Sequence, residues 1–325
     1  MKFKQLGAIA IALSSLAAAL VSGQASAQAY PSRPITIMVG STPGSTTDGL
    51  ARALGAVITK ETGQPVIVDN RAGASGGIAA QATARAAPDG YTLFITTNTT
   101  QAANPHLFKK LVYDPIKDFT PIGQMVQGYM LMVVSPTSKA KTVGEFIALA
   151  KQSPGKLSFG AGSSSARIGV ELFQHMSGTQ LTYVPYKGNP QAVMDLVGGQ
   201  TDVMIVDLTT SLPQVKAGKL RALGVSSPTR SPLVPGVPTI AESGLPGYVA
   251  NHWNALYAPA GTPTPIVQRL NELMRKAMAT DALREFAEQN GMETHPTSPQ
   301  ELAAFQLAEL DRWGKIIKDA GIQPE

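Results

Sequence analysis

The stretch Gly40-Ser41-Thr42-Pro43-Gly44-Ser45-Thr46-Thr47-Asp48 joins a β-branched run, Ile35 to Val39, to a segment with helical spacing, Thr46 to Lys60. A loop at the carboxyl end of a parallel strand is where open α/β sheets bind ligands. Ser45 followed three residues later by Asp48 is a capping box, and the N–H groups of the first helical turn add to the hydroxyls of Ser41, Thr42, Thr46 and Thr47. This set would hold a carboxylate without a lysine, although Ser45, Asp48 and Gly44 also read as an ordinary helix cap and turn. A second loop of the same kind, Gly160-Ala161-Gly162-Ser163-Ser164-Ser165-Ala166-Arg167, again stands between a strand and a helix. Arg167 in a first helical turn opposes the macrodipole unless an anion compensates it; its ordinary alternative is a pair with Glu171 at i, i+4. Thr97, Asn98 and Thr99, within Thr96 to Thr100, supply further neutral donors after a third strand, or plain turn polarity. Asp207 ends a strand beside the expected cleft and either meets the ligand or caps the next helix. Asp202 lies at that strand's other end, so the two acids do not form a carboxylate pair.

Other chemistries find weaker footing. Gly73-Ala74-Ser75-Gly76-Gly77 matches the Gly-x-Ser-x-Gly pattern of a nucleophile elbow, but Asp69-Asn70-Arg71-Ala72 separate it from the preceding strand and no oxyanion segment precedes it. A secreted hydrolase using Ser75 is therefore the minor alternative. His106, His175, His252 and His295 have no second ligand at metal-binding spacing and read as surface or satisfied core histidines. No metal, cofactor or catalytic residue is expected.

The elements that must position these loops alternate between two signals. Strands are expected at Ile35–Val39, Val66–Val68 and Thr92–Thr96, with helices at Thr46–Lys60 and Gly76–Ala87. A second series has strands at 131–134, 157–159, 182–184 and 203–206, with helices at 143–152, 165–176 and 191–197. Such βαβ alternation predicts parallel sheet. The C-terminal segments 264–289 and 299–320 are helical and must pack back onto an existing sheet. Two α/β units, with the chain returning to the first, imply two lobes, crossings near 122–127 and 247–253, and a hinged cleft between them.

Composition narrows the function classes. With no cysteine among 325 residues, disulfides, thiolate metal sites and cysteine nucleophiles are excluded. Lys2 and Lys4 precede an apolar stretch, Leu6 to Val21, that ends in Ala25-Ser26-Ala27, the pattern of a secretory signal peptide over residues 1–27. Its removal takes two charges from the formal +5. The nearly balanced remainder has basic pairs only at Lys109-Lys110 and Lys139/Lys141, which argues against nucleic acid.

The segments Tyr30-Pro31-Ser32-Arg33-Pro34-Ile35, Asp69-Asn70-Arg71-Ala72-Gly73-Ala74, Ala87-Pro88-Asp89-Gly90-Tyr91-Thr92-Leu93 and Tyr113-Asp114-Pro115 carry a resemblance. So do Val184-Pro185-Tyr186-Lys187-Gly188, Ala217-Gly218-Lys219-Leu220-Arg221-Ala222-Leu223, Pro238-Thr239-Ile240-Ala241-Glu242-Ser243-Gly244 and Ala258-Pro259-Ala260-Gly261-Thr262-Pro263. Together they make the chain resemble the Bug-type periplasmic solute-binding proteins of tripartite tricarboxylate transporters, from Tyr30 to about Gly321. The resemblance implies a two-lobed, type II periplasmic-binding-protein (Venus flytrap) α/β fold. It also implies a ligand carboxylate held by the strand-to-helix loops and delivery to a membrane permease. Lobe 1 would comprise residues 28–126 and 252–325, and lobe 2 residues 127–251. The chain carries Gly40, Ser45 and Arg167 where the family more often has proline, glycine and histidine, so the resemblance carries the fold further than the ligand. The expectation is an exported, monomeric, non-enzymatic binder of a dicarboxylate or aromatic acid in the periplasm. The same cleft would also serve a sensor subunit that presents its ligand to a signalling protein.

Overall fold

The computed structural model describes residues 30–319 and 321–324. The expected signal peptide lies outside the described residues. Strands β1 (Ile35–Val39), β2 (Val66–Asn70) and β3 (Thr92–Thr97) alternate with helices α1 (Thr46–Thr62) and α2 (Gly77–Ala84), followed by a π-helical turn over Thr99–Ala103 and the short α3 (Asn104–Leu107). After the long β4 (Phe119–Val134) come α4 (Val143–Gln152), β5 (Ser158–Ala161), α5 (Ser164–Ser177), β6 (Thr182–Pro185), α6 (Asn189–Val197), β7 (Val203–Asp207), α7 (Leu208–Lys216) and β8 (Arg221–Val225). The chain returns through β9 (Asn251–Pro259), α8 (Thr264–Met278), α9 (Asp281–Gln289), β10 (Met292–Thr294) and α10 (Pro299–Asp319).

The strands run in the order β2-β1-β3-β9-β4-β7-β5-β6, with β8 and β10 also on β4. β1 is parallel to β2 and β3, and β5 is parallel to β6 and β7, as the alternation predicts. The expectation of parallel sheet throughout is corrected in the middle, where β9 is antiparallel to both β3 and β4, and β7, β8 and β10 are antiparallel to β4. The β-branched pattern marks only residues 131–134 of β4, whose β9-paired portion, Phe119 to Tyr129, is interrupted by Pro121, Gly123 and Gly128. In the structure the register with β9 shifts between Pro121 and Gly123, so a bulge accommodates the proline that argued against a strand. From Phe119 to Tyr129, β4 pairs with β9; from Met130 onward its partners are β7 and β8. The sheet is thereby divided into two parts that share one strand.

Each part has its own core. Phe94, Phe119, Trp253, Tyr257 and Trp313 cluster around the first, and Phe146, Phe159, Phe173 and Tyr248 around the second. The C-terminal helix packs back onto β9, as expected from its inability to form a core alone. Its Glu309 accepts hydrogen bonds from the indole N–H of Trp253 (2.8 Å) and Trp313 (3.0 Å), so these large buried rings keep their polar atom satisfied.

Candidate functional site

The two hydroxyl-rich helix starts are built alike. Ser45 is the N-cap of α1, its side chain accepting from the Asp48 N–H (3.3 Å), and Ser163 is the N-cap of α5, accepting from the Ala166 N–H (3.3 Å). In each, the N–H groups of the first turn precede any intrahelical carbonyl and point out of the helix end. Both ends open on one cavity of about 80 Å³, where a water needs ~10–15 Å³, so there is room for a small organic molecule. The wall contains Ser41, Ser45, Thr46, Thr47, Thr97, Thr99, Gly162, Ser163, Ser165 and Asp207, ten of the residues singled out from the sequence. No lysine or arginine is among the described residues lining it.

Hydrogen bonds tie the loops of one sheet part to those of the other. The Thr46 hydroxyl donates to Asp207 Oδ1 (2.9 Å), Ser165 to Asn98 Oδ1 (3.0 Å) and Ser164 to Asn104 Oδ1 (2.8 Å), while the Thr99 and Ser165 hydroxyls lie 3.1 Å apart. Asp207 caps α7, accepting from the Thr210 N–H (3.1 Å) and hydroxyl (3.0 Å), and its Oδ2 accepts from Asn189 (3.0 Å). Both sequence readings of Asp207, cap and cavity wall, describe the same side chain.

The remaining singled-out residues do not line the cavity. Asp48 receives the Gly44 N–H (3.0 Å) and the Arg52 guanidinium; burial works to raise its carboxyl, but these partners and Asn70 outweigh it and hold the group below the usual range. Asn98 and Ser164 are buried and spent on the cross-links just described. Thr42 abuts Gly188, the residue before α6: a Cβ built on Gly188 would stand 2.3 Å from Thr42 Oγ1. Arg167 lies beside Glu171 (Nε to Oε1, 3.7 Å), the i, i+4 alternative to a ligand contact, with its guanidinium 4.6 Å over the Tyr183 ring.

Several lining residues were not singled out as ligand contacts: Gly40, Ser75, Gly76, Ile95, Thr96, Thr100, Met130, Asn189 and His252. Ser75 reaches the wall because Gly40 and Gly76 touch backbone to backbone, where a Cβ on Gly40 would lie 2.8 Å from Gly76 Cα. Ser75 itself adopts a left-handed conformation (φ 48), and its carbonyl is held by Asn104 Nδ2 (3.0 Å). Asn189 opens α6 after a strand, and its Oδ1 accepts from the Gly162 N–H (3.0 Å); the strand-to-helix rule that found the first two loops would have found it. His252 gave no such signal. It sits on β9 opposite Gly128, 6% exposed, with Nε2 unpartnered among the described residues. Burial pushes its pKa below the ordinary histidine value, against the pull of Asp207 and Asn254.

This architecture has close counterparts. The chain is 35% identical to Protein BugT of Bordetella pertussis over 309 residues, 94% of this chain and 95% of that one. It superposes on a Rhodopseudomonas palustris protein, Rpa4515, solved with adipate, at a TM-score of 0.88 and 37% identity over 91% of this chain and all of that one. It also superposes on MatC of the same organism with bound malate, at 0.85 and 32%, covering 89% of this chain and all of MatC. The periplasmic binding protein BugD aligns at 0.87 and 31%, over 91% of this chain and all of BugD. Residues 50–322 match the model of the tripartite tricarboxylate transporter family receptor, and the chain belongs to that family.

Proposed function

We propose that this protein is a periplasmic solute-binding protein that captures a small organic acid, a dicarboxylate or an aromatic carboxylate, and delivers it as a monomer to the membrane subunits of a tripartite transporter. The observation that carries the reading is the pair of capped helix starts, α1 and α5, opening on one hydroxyl-lined cavity without a lysine or arginine among the described lining residues. Two helix N-termini contribute partial positive charge and free N–H donors, a setting suited to an anion. The relatives solved with adipate and malate support the class of ligand.

Lobe boundaries near residues 127 and 251 fit the place where β4 exchanges β9 for β7 and β8. Closure would then draw the α1 and α5 starts together around the acid. Among the described residues no helix is long and apolar enough to cross a membrane.

Binding without catalysis is the better reading of the cavity, although Ser75, His252 and Asp207 all line it. A hydrolytic relay needs serine-to-histidine and histidine-to-carboxylate hydrogen bonds. Here His252 Nε2 is unpartnered among the described residues, and the Asp207 oxygens accept from Thr46, Thr210 and Asn189. The test is a thermal-shift screen over organic acids followed by calorimetric titration, with a generic ester assay in parallel. Saturable binding of an acid without ester turnover is expected; turnover that Ser75→Ala abolishes would replace binding by hydrolysis.

A further inference from the structure

We propose that the cavity selects acids that carry one ionised carboxylate and a hydrogen-bond donor at the other end, because Asp207 is already the resident anion of the site. This rests on the organic-acid reading above and narrows it, ranking an acid with a single ionised carboxylate above a fully ionised dicarboxylate. Among the described lining residues, Asp207 alone brings a carboxylate, and no lysine or arginine offsets it. The nearest singled-out cation, Arg167, is placed beside Glu171 and outside the wall. His252, the other titratable residue of the wall, is buried and held toward its neutral form.

The placement of Asp207 sharpens the argument. Its carboxylate caps α7, meets the first residue of α6 through Asn189, and meets the first residue of α1 through Thr46. The positive ends of those helices are therefore already partly neutralised by a protein carboxylate. What remains for a ligand is the α5 start, the rest of the α1 start and the neutral hydroxyls between them. These suit one carboxylate. A second ionised carboxylate at the Asp207 end would face a like charge in a partly desolvated site, which is the repulsive element that makes a site selective.

A donor at that end meets acceptors instead. Asp207 Oδ2 accepts a single hydrogen bond from Asn189, leaving lone-pair capacity. His252, which also lines the cavity, leaves its Nε2 without a partner among the described residues, and a ligand group would satisfy it. A hydroxyl, an amide or a protonated carboxyl fits this end; a carboxylate does not.

The test is calorimetric titration at about pH 8, where free carboxylic acids are ionised, with adipate, its half-amide adipamate and its monomethyl ester. The four-carbon series, succinate and succinamate, is run alongside. Adipamate or succinamate is expected to bind at least about tenfold tighter than the matching dianion, and the methyl ester, which has the same charge but no donor, more weakly than the half-amide. A dianion that binds as tightly as its half-amide overturns the proposal, and a methyl ester equal to the half-amide overturns the donor requirement. If no compound of either series binds to the folded protein, the organic-acid reading fails, and this inference with it. Asp207→Asn keeps an N-cap residue on α7 and should bring the half-amide and the dianion toward equal affinity. A full preference persisting in that variant, with an unchanged melting temperature, would overturn the assignment to Asp207.

Discussion

The proposed closure would bring together a contact that one methyl group would spoil. Gly188 precedes α6 with an extended backbone (φ −166), so alanine there carries no backbone strain. Its Cβ would nevertheless stand 2.3 Å from Thr42 Oγ1 and 2.9 Å from Thr42 Cγ2. Relief to ordinary contact requires a separation of roughly 1 Å between the loop after β1 and the start of α6. The same movement stretches the Thr46–Asp207 hydrogen bond from 2.9 Å to beyond hydrogen-bonding range. A charge-assisted hydrogen bond of this kind contributes ~1.5–3 kcal/mol, so Gly188→Ala should weaken acid binding about 10- to 150-fold through the closed state. Thr42→Ala in the same chain removes both clashing atoms and leaves only Cβ, at 3.1 Å. Because Thr42 Oγ1 has no hydrogen-bond partner among the described residues, its loss costs little by itself. The double variant should therefore recover most of the affinity, a coupling that a double-mutant cycle by calorimetry with the tightest-binding acid of the screen would measure. Unchanged affinity in Gly188→Ala, or a loss that Thr42→Ala does not reverse, would refute the reasoning.

Other expectations follow from single side chains. Ser45→Ala removes the α1 cap and should lower stability by ~1 kcal/mol in urea denaturation, with a larger proportional loss of acid affinity in titration because Ser45 also lines the cavity. Asn104, fully buried and bonded to the Ser75 carbonyl, the Ser164 hydroxyl and Tyr113, should cost ~2–4 kcal/mol as Asn104→Ala, read as a shifted urea midpoint with unchanged slope. Arg167→Ala should leave acid affinity within about twofold, since Glu171 and Tyr183 engage its side chain away from the wall; a tenfold loss in titration would return it to the ligand set. His252 gives a pH dependence of definite sign. Its folded pKa lies below its unfolded one, so as pH falls below ~6.5 the unfolded chain takes up a proton that the folded chain refuses. Stability falls at up to ~1.4 kcal/mol per pH unit until the folded pKa is reached, with Asp207 as the opposing charge. Urea curves across this range should show the slope in the natural sequence and a flatter one in His252→Gln.

The parts of the fold legible in the sequence were those with local signals. β1, α1, α4 and α5 announce themselves by β-branched runs, helical periodicity and Ser or Thr caps, and the two loops between strand and helix could be named as site material for the same reason. The Phe119–Tyr129 portion of β4 and all of β9 were opaque because their stability comes from pairing across more than a hundred residues of chain, and because Pro121, Gly123, Gly128 and Asn254 break any periodic pattern. With β9 unseen, His252 had no reason to be placed in the cavity. Arg167 had two readings in the sequence, ligand contact and a pair with Glu171, and the structure shows the pair. Its position in a first helical turn is a real electrostatic signal, but Glu171 one turn later and Tyr183 on β6 answer it locally. Asp207 was ambiguous between cap and ligand contact only because its three helix-start partners meet in space and not in sequence.

The central claim is that an organic acid is held between the starts of α1 and α5. A crystal structure of the protein with the tightest-binding acid of the screen tests it most directly. The account predicts one carboxylate within hydrogen-bonding distance of donors from both the Ser41–Thr47 loop and the Ser163–Ser165 turn, with the rest of the molecule extending toward Asp207 and His252. An acid seated elsewhere, or held in this cavity by contacts to only one of the two helix starts, would contradict it.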